Sequence, residues 1–588
     1  YNYIKRINLR RMPRNCRRFI VSVHIPEGPT VISSGLIPEW YEVRVQNKRK
    51  LKVLAREMAN TENYADWLAA ARQYDDITGM TDWRHVEHTD LYDYAQIRLR
   101  LDRLRNLRAR SDHQGLLYAL NEGIHGNMGG MGKGVLYRMA KAGTKRLIED
   151  YIDEIDASLK LLAELDDSII PAQQKLDFFY RANICFGRSA LMLSGGGVLG
   201  FLHLGVVNVL LEQGLLPRVI SGSSAGALVA GVLACHTDDE VADLEELAIL
   251  QNGAKEETGF LRKLLTGGPS ISLDDLEQLI ERLIPNATFE EAYAKTGRQV
   301  SITIAPAEPH QRSRLLNAVT SPNVYIRSAV MASCAVPGVF PAVMLMARNV
   351  NGEPQPYLPG RRWIDGSVAD DLPAKRLSRL FGTNHHIVSM VNPIATAFIS
   401  KDEDRSGLSK AAGALGVGVG REFLNFYRGL AQKRGDKWPR FNMMLHGLHA
   451  LMDQEYTGDI NIMPSFRLAN PLRLLSHLNE EELVRLTHHG ERACYEKVEA
   501  IRRCTQISRT LEDILYRFEY GDLRPDPSTA RKPRSSRRRP APTRAQREKL
   551  GSLSDKVAQP IASRSGRKVT KKGAGAAKVA QKPARVTH

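Results

Sequence analysis

Residues 189–211 constrain the fold more than any other segment, because 23 consecutive residues contain no Asp, Glu, Lys or Arg. An uncharged stretch of this length is a candidate membrane span. Three consecutive glycines and one histidine interrupt it, however, and the pattern indicates a short strand, a turn and the start of a helix. We therefore predict a buried α/β element here, since strands covered on both faces are also continuously apolar.

The sequence around this segment alternates between two periodicities. From residue 188 onwards, apolar runs of strand length alternate with helical patterns, which predicts a parallel or mixed sheet covered by helices on both faces. Residues 40–180 and 400–520 instead place apolar residues at helical spacing, with charged faces between them. We predict an α/β domain flanked by helical regions.

The basic residues are concentrated at the two ends of the chain. Of a formal net charge of +18, residues 1–20 carry +7 and residues 531–588 carry +16, which leaves −5 for everything between them. The body therefore presents no nucleic-acid-binding charge pattern. Beyond residue 522, a composition dominated by Pro, Arg, Lys, Ala and Ser predicts a disordered tail.

The six cysteines are dispersed and form no CxxC pair, which argues against a disulfide framework or a zinc site. The Arg-rich start is not followed by an apolar segment of signal-peptide length. We expect a reducing, cytoplasmic location with peripheral membrane association. No metal-ligand spacing is visible, and we predict neither a metal nor a cofactor.

A glycine-rich loop follows the first predicted strand. Gly195, Gly196, Gly197 and Gly200 satisfy a GxGxxG pattern, which occurs in dinucleotide-binding sites. Such a site needs an acidic residue after the next strand, but that strand runs into Ser221 and carries none. The alternative is an oxyanion hole, in which glycines let backbone N–H groups turn toward a ligand.

Two further motifs follow this loop along the chain. Gly222, Ser224 and Gly226 form GxSxG between a short apolar strand and a small-residue helix, the context of a nucleophile elbow, although a helix N-cap has a similar sequence. Later, Asp365 and Gly366 follow a short apolar run. Alone, this pair is a turn former, but a carboxylate at a strand end can also act as the base that a serine nucleophile needs.

Histidine is the other candidate base. His385 and His386 follow Asp365 and complete the chain order Ser, Asp, His of a serine hydrolase triad. Both adjoin an apolar run, where a structural histidine is expected, and His203 lies one turn into the first predicted helix.

The ordered trio of glycine loop, GxSxG and DG[GAS] resembles the patatin-like phospholipase family. The resemblance extends to residues 304–307, 320–324, 332–340 and 458–462, and to Asp371-Leu372-Pro373. It implies a three-layer α/β/α sheet domain. It also implies a dyad of Ser224 as nucleophile and Asp365 as proton acceptor, without a histidine. The branch it resembles comprises intracellular triacylglycerol lipases that carry a helical N-terminal domain of the DUF3336 type.

The resemblance also implies a domain plan. We expect a basic segment at 1–35, a helical DUF3336-type domain at 36–180 and a catalytic domain at 185–395, followed by a helical extension at 396–520 and a disordered basic tail at 521–588.

The implied activity is hydrolysis of lipid esters, of the triacylglycerol lipase or phospholipase A type, at a membrane or lipid-droplet surface. Many patatin-type phospholipases have a basic residue where this chain has Leu199, which favours neutral lipid. The alternative is a catalytically inactive lipid-binding or membrane-scaffolding protein.

Overall fold

The computed structural model describes residues 39–242, 273–308, 311–337, 340–392, 458–464 and 480–520. The predicted basic segment at 1–35 and the predicted disordered tail lie outside these ranges, as does much of the predicted extension at 396–520.

The N-terminal region is helical, as its periodicity predicts, and polar residues fix where its helices begin. Asn63, Asp93 and Asp112 each accept a hydrogen bond from a backbone N–H in the first turn of the helix that follows. Gly79 ends the second helix in the left-handed conformation at φ 74°. The helices are α1 (Glu39–Asn60), α2 (Tyr64–Thr78), α3 (Met80–His85), α4 (Tyr94–Ala109), α5 (His113–Asn121), α6 (Arg146–Glu164) and α7 (Ala172–Phe186).

A mixed sheet of seven strands follows this region. Its order is β4-β3-β2-β1-β8-β9, and β7 pairs with β3 in addition. Strands β1, β2, β3, β8 and β9 run parallel, whereas β4 and β7 are antiparallel to β3. The strands are β1 (Arg188–Leu193), β2 (Val219–Gly222), β3 (Gln299–Pro306), β4 (Arg314–Leu316), β5 (Met346–Arg348), β6 (Pro354–Pro356), β7 (Trp363–Asp365), β8 (Thr383–Ser389) and β9 (Ile460–Ile462), of which β5 and β6 form a separate hairpin.

Both faces of the sheet are covered, as the sequence predicts. Leu191 and Leu193 of β1 belong to the core on one face, and Ala190 and Met192 belong to the core on the other. This is the alternation that a strand buried on both sides requires. The covering and following helices are α8 (Phe201–Glu212), α9 (Ala225–Cys235), α10 (Leu273–Leu283), α11 (Phe289–Thr296), α12 (Ile326–Ser333), α13 (Ser367–Asp370), α14 (Ala374–Phe381), α15 (Glu480–Tyr495) and α16 (Val498–Tyr520).

The uncharged segment at 189–211 forms most of β1, a glycine loop with a 3-10 turn over Gly197–Gly200, and most of α8. The prediction of a strand, a turn and a helix is therefore confirmed. No helix in the described ranges has the length and apolar character that crossing a membrane requires.

The last helix of the described residues, α16, joins the helical region to the sheet domain. Ile507, Leu511 and Ile514 of α16 belong to the same buried cluster as Phe178 and Phe179 of α7. On another side of α16, Glu512 pairs with Arg188 at the start of β1 (2.9 Å). The core of the N-terminal helices is thus completed by a segment more than 300 residues later in the chain.

We predict that Leu511→Ala lowers the free energy of unfolding by about 2–5 kcal/mol, because Leu511 is fully buried and the cavity cannot collapse completely. Chemical denaturation measures the change. The control is Ile184→Ala on α7, where the side chain is 77% exposed and the expected change is within about 0.5 kcal/mol. Equal losses in the two variants would contradict the bridging role of α16.

Candidate active site

Ser224 lies on a sharp turn between β2 and α9, in the strand–turn–helix context that the GxSxG motif predicts. Its backbone has φ 51° and ψ −121°, and only one other non-glycine residue in the described ranges, Ser111, has a positive φ. Such a conformation costs a side-chain-bearing residue of the order of 1–3 kcal/mol. The surrounding structure must therefore hold the turn in place.

The motif glycines permit that turn because no side chain fits beside them. A Cβ on Gly222 would overlap the carbonyl of Gly226, and a Cβ on Gly226 would overlap the carbonyl of Leu193 at the end of β1. The Ser223 N–H donates to the same Leu193 carbonyl (3.2 Å). The turn is thus packed directly against the neighbouring strand end, which requires glycine at both positions.

Sheet register brings Asp365 to this turn. Ile302 of β3 pairs with Gly222 on one side and Leu316 of β4 on the other. Two residues later, Ile304 pairs with Asp365 of β7 on the side opposite β4. Strand β7 therefore pairs with β3 beyond the point where β2 ends. Ser224 is two residues after Gly222, as Ile304 is two residues after Ile302, so Asp365 lies level with Ser224.

The Asp365 carboxylate is buried beside the turn that carries Ser224. The backbone N–H of Ser367 donates to Oδ1 of Asp365 (2.8 Å). Burial raises the pKa of Asp365 to about 6, and the nearby polar groups of Ser224 and Ser367 oppose that shift. A carboxylate with a raised pKa is a stronger proton acceptor than an exposed one.

Gly366 explains why this aspartate is followed by glycine. A Cβ at that position would overlap the Thr303 carbonyl on β3. That carbonyl also accepts a hydrogen bond from Ser333 Oγ (2.7 Å), and Ser333 Oγ in turn accepts one from the Ser224 N–H (2.9 Å). The turns that carry Ser224 and Asp365 are therefore attached to the same point on β3.

The glycine loop lies against both turns. A Cβ on Gly195 would be 2.7 Å from Cβ of Ser367 and 3.3 Å from Cβ of Ser224, and a Cβ on Gly200 would be 2.6 Å from Cβ of Ala225. Gly200 therefore allows α8 to pack closely against the start of α9. The predicted loop and the predicted nucleophile are thus in direct contact.

The N–H groups of the loop are in two different situations. The Gly195 N–H donates to Oδ1 of Asp371 (2.7 Å), so it is not free to bind a ligand, which differs from the prediction that it belongs to the oxyanion hole. No described residue accepts a hydrogen bond from the N–H of Gly196 or Gly197. The loop therefore offers Gly196 and Gly197, while Gly195 serves to attach it.

His203 holds the start of the same loop. It is fully buried, with Nδ1 2.7 Å from Ser389 Oγ and Nε2 2.9 Å from the Ser194 carbonyl. Because a carbonyl can only accept, Nε2 carries the proton and Nδ1 accepts from Ser389. Burial lowers the pKa of His203 to about 4 and keeps it neutral. Both ring nitrogens bind groups other than Ser224 and Asp365.

His385 and His386 lie near the amino-terminal ends of the parallel strands, whereas Ser224 follows the carboxyl-terminal end of β2. His385 pairs with Ser189, four residues before Leu193 at the end of β1, which corresponds to about 13 Å along the strand. Its Nδ1 is 3.2 Å from Ser189 Oγ, and the His386 backbone N–H donates to Asp459 (2.7 Å). The structure does not bring either histidine to Ser224.

Asp371 is the site residue whose role the sequence did not indicate. It is fully buried, and Oδ1 accepts a short hydrogen bond from Ser223 Oγ in addition to the bond from Gly195. Asn392 Nδ2 lies 3.5 Å from Oδ2. The only signal was its position in the Asp371-Leu372-Pro373 segment, which contributed to the family resemblance without a chemical role.

Comparison with known proteins decides the family. A patatin-like phospholipase domain-containing protein of Aspergillus niger is 32% identical over 520 residues, covering 82% of this chain and 68% of the relative. The chain belongs to the patatin-like phospholipase family. Residues 191–377 match the family described as patatin-like phospholipase, and residues 43–183 match a domain of unknown function, DUF3336. Ser224, Asp365 and the glycine loop all lie within the patatin-like match.

Two other relatives are similar to this chain over at least three quarters of its length. A patatin-like phospholipase domain-containing protein of Aspergillus clavatus is 32% identical over 506 residues, covering 80% of this chain and 70% of the relative. Triacylglycerol lipase 4 of Saccharomyces cerevisiae is 34% identical over 467 residues, covering 75% of this chain and half of that lipase. The similarity thus includes the helical region as well as the sheet domain.

The strained turn gives a prediction about stability. Ser224→Gly and Ser224→Ala both remove the hydroxyl, but only glycine tolerates the positive φ without strain. We expect Ser224→Gly to be more stable than Ser224→Ala by roughly 1 kcal/mol, the strain released less the entropy that glycine loses on folding. Urea denaturation of the two variants measures it. A glycine variant no more stable than the alanine variant would mean that the turn is unstrained.

Proposed function

We propose that this chain is a serine lipid-ester hydrolase in which Ser224 and Asp365 act as a catalytic dyad. The observation that carries the proposal is the position of Ser224, on a strained turn between a strand and a helix, level with the buried carboxylate of Asp365 on the adjoining strand. Membership of the patatin-like phospholipase family supports hydrolysis of lipid esters as the reaction.

The proposed reaction is acyl transfer in two steps. Asp365 accepts the hydroxyl proton as Ser224 Oγ attacks the ester carbonyl, and the alcohol leaves with that proton. Water then attacks the acyl-enzyme, gives its proton to Asp365, and releases the fatty acid as the Ser224 hydroxyl is restored. The raised pKa of Asp365 favours its role as proton acceptor in both steps.

The oxyanion formed in each step needs hydrogen-bond donors. The N–H groups of Gly196 and Gly197 have no described acceptor and belong to a loop in contact with Ser224, so we assign them this role. In comparable sites one such donor contributes roughly 3–4 kcal/mol to transition-state stabilisation. Helix α9 begins immediately after Ser224 and adds the positive end of its dipole.

The residue next to Gly200 favours an uncharged lipid. Leu199 is buried and packs with Leu202 and Val391, with Leu486 of α15 against them. A position that is basic in many patatin-type phospholipases is thus part of a small apolar core, which offers no charge to a phosphate head group. Together with the similarity to a yeast protein named triacylglycerol lipase, this favours neutral acylglycerol over phospholipid.

The alternative functions fit the site less well. A dinucleotide in the glycine loop would bring a pyrophosphate close to the buried Asp371 carboxylate, which already occupies the Gly195 N–H. An inactive lipid-binding protein would not need the strain at Ser224 or the buried base beside it, because neither feature contributes to stability. An assay for ester hydrolysis separates this last alternative from the proposal.

We predict that the purified protein hydrolyses p-nitrophenyl esters of fatty acids, and that Ser224→Ala lowers kcat by several orders of magnitude because the other serine hydroxyl of that turn, on Ser223, is hydrogen-bonded to Asp371. The matched control is Ser111→Ala, which changes the other described serine with a positive φ, on a loop of the helical region. Equal activity in wild type and Ser224→Ala would reject the enzyme at this site. A comparable loss from His385→Ala or His386→Ala would reject the dyad.

We also predict a pH dependence. Asp365 must be ionised to accept the proton, and burial raises its pKa to about 6, so kcat/KM should fall as the pH decreases through about 6. Stability should change in the opposite sense. Because the folded-state pKa lies above the ordinary value of 3.8, the unfolding free energy decreases as the pH rises from about 4 to about 6. An activity that is constant from pH 5 to 8 would contradict the assignment of Asp365 as base.

The basic tail suggests how the enzyme reaches its substrate. Residues 531–588 carry a net charge of +16, and we propose that they bind anionic head groups at a membrane or lipid-droplet surface. Deleting residues 531–588 is expected to reduce cosedimentation with vesicles containing phosphatidylserine, most strongly at low salt, and to leave hydrolysis of a short soluble ester unchanged. Vesicle binding that does not depend on the tail would reject the idea.

A further inference from the structure

Three loops meet at one buried carboxylate next to the proposed dyad. Oδ1 of Asp371 accepts from the Gly195 N–H (2.7 Å) and from Ser223 Oγ, and Asn392 Nδ2 lies 3.5 Å from Oδ2. These donors belong to the loop after β1, the turn after β2 and the segment after β8. The Asp371 side chain therefore connects three neighbouring strand ends of the sheet.

Two of these donors are adjacent in sequence to the reacting groups. Gly195 precedes Gly196, the first proposed oxyanion donor, and Ser223 precedes the nucleophile Ser224. Because a single oxygen atom binds both, it fixes the distance between the glycine loop and the turn that carries Ser224. A Cβ on Gly195 would be 2.7 Å from Ser367 Cβ and 3.3 Å from Ser224 Cβ, so the loop backbone already lies close to the turns that follow β2 and β7.

On the basis of the function proposed above, we infer that Asp371 is a positioning residue that holds the oxyanion loop in register with Ser224. It does not contact Ser224 or the reacting ester itself. Its effect passes through the Gly195 N–H to the N–H groups of Gly196 and Gly197. A displacement of this loop by a fraction of an ångström would weaken hydrogen bonds that form only as the oxyanion develops.

The burial of this carboxylate is costly, which argues that it has a role beyond stability. Burial raises the pKa of Asp371 to about 7, the nearby Asp365 carboxylate adds to the shift, and the hydrogen bonds from Ser223, Gly195 and Asn392 oppose it. Asp365 thus acts on Asp371 as a like charge. Since the folded-state pKa lies above 3.8, the free energy of unfolding decreases as the pH rises from about 4 to about 7. It remains lower at higher pH, where Asp371 is ionised in both states.

The experiment compares Asp371→Ala and Asp371→Asn with wild type, using a short soluble p-nitrophenyl ester. Removing the acceptor in Asp371→Ala should lower kcat per folded molecule by about 10²- to 10³-fold, the effect of losing an oxyanion-hole donor, and leave KM nearly unchanged. Asp371→Asn keeps a neutral acceptor oxygen and should lose less kcat. It should leave the midpoint of the acid limb near pH 6, because the pKa of Asp371 lies above that of Asp365 and Asp371 is mostly neutral where Asp365 titrates.

A transition-state analogue separates positioning from a general loss of structure. An alkyl boronic acid forms a tetrahedral adduct with a serine nucleophile, so its inhibition constant should weaken in each variant by the same factor as kcat. The matched control is Asp75→Asn. Asp75 is another buried aspartate that accepts two backbone N–H bonds, from Lys141 (2.9 Å) and Ala142 (2.8 Å), but it lies on α2. We expect Asp75→Asn to lower the melting temperature without changing kcat per folded molecule.

The outcomes distinguish this inference from the function on which it rests. If Ser224→Ala retains full activity, the proposed function fails. If Ser224→Ala is inactive but Asp371→Ala and Asp371→Asn keep the kcat and boronic acid affinity of wild type, the inference about Asp371 is wrong and the dyad stands. A loss of kcat that follows the loss of folded protein, as in Asp75→Asn, would also overturn it. Should Asp371→Ala fail to fold, Asp371→Asn alone tests the inference through its kcat, its KM and its affinity for the boronic acid.

Discussion

Backbone crowding at three strand ends is the constraint on which the candidate site depends. Gly222, Gly226 and Gly366 each lie where a Cβ would overlap a neighbouring carbonyl, so the turns after β2 and β7 pack against β1 and β3 without intervening side chains. This close packing forces Ser224 into a positive φ. The large cores on both faces of the sheet supply the stability that offsets this strain.

The same crowding removes water, and that determines the electrostatics. Asp365 and Asp371 are both buried, and burial is the main reason that the pKa of each is raised. Hydroxyl and backbone groups donate hydrogen bonds to these carboxylates. In the proposed mechanism Asp365 is the base near neutral pH, and the neutral His203 supports the loop.

The sequence predicted the elements that depend on local pattern. The strand, glycine loop and helix at 188–212, the turn at Ser224 and the helical N-terminal region follow from periodicity, glycine placement and polar caps, which act over a few residues. The contact between Ser224 and Asp365 came from family resemblance, since nothing local indicates that β7 runs antiparallel beside the end of β2. The hydrogen bond from the Gly195 N–H to Asp371 joins residues 176 positions apart, and no local pattern indicates it. The sequence alone therefore predicts that Gly195 belongs to the oxyanion hole. The position of His385 likewise depends on register, because β8 pairs with β1 so that His385 lies beside Ser189, four residues before the end of β1.

The position of α16 also has a consequence for synthesis of the protein. The helices between residues 94 and 186 leave the ribosome early, yet Ile507, Leu511, Ile514 and Leu515 complete their apolar core. At ordinary elongation rates of roughly 5–20 residues per second, the nascent helices wait on the order of tens of seconds for that partner. During this interval Phe178 and Phe179 lack their final covering, and a chaperone that shields an exposed apolar helix surface would act at this stage. The helical region therefore precedes the sheet domain in sequence but is completed only after α16 has been synthesised.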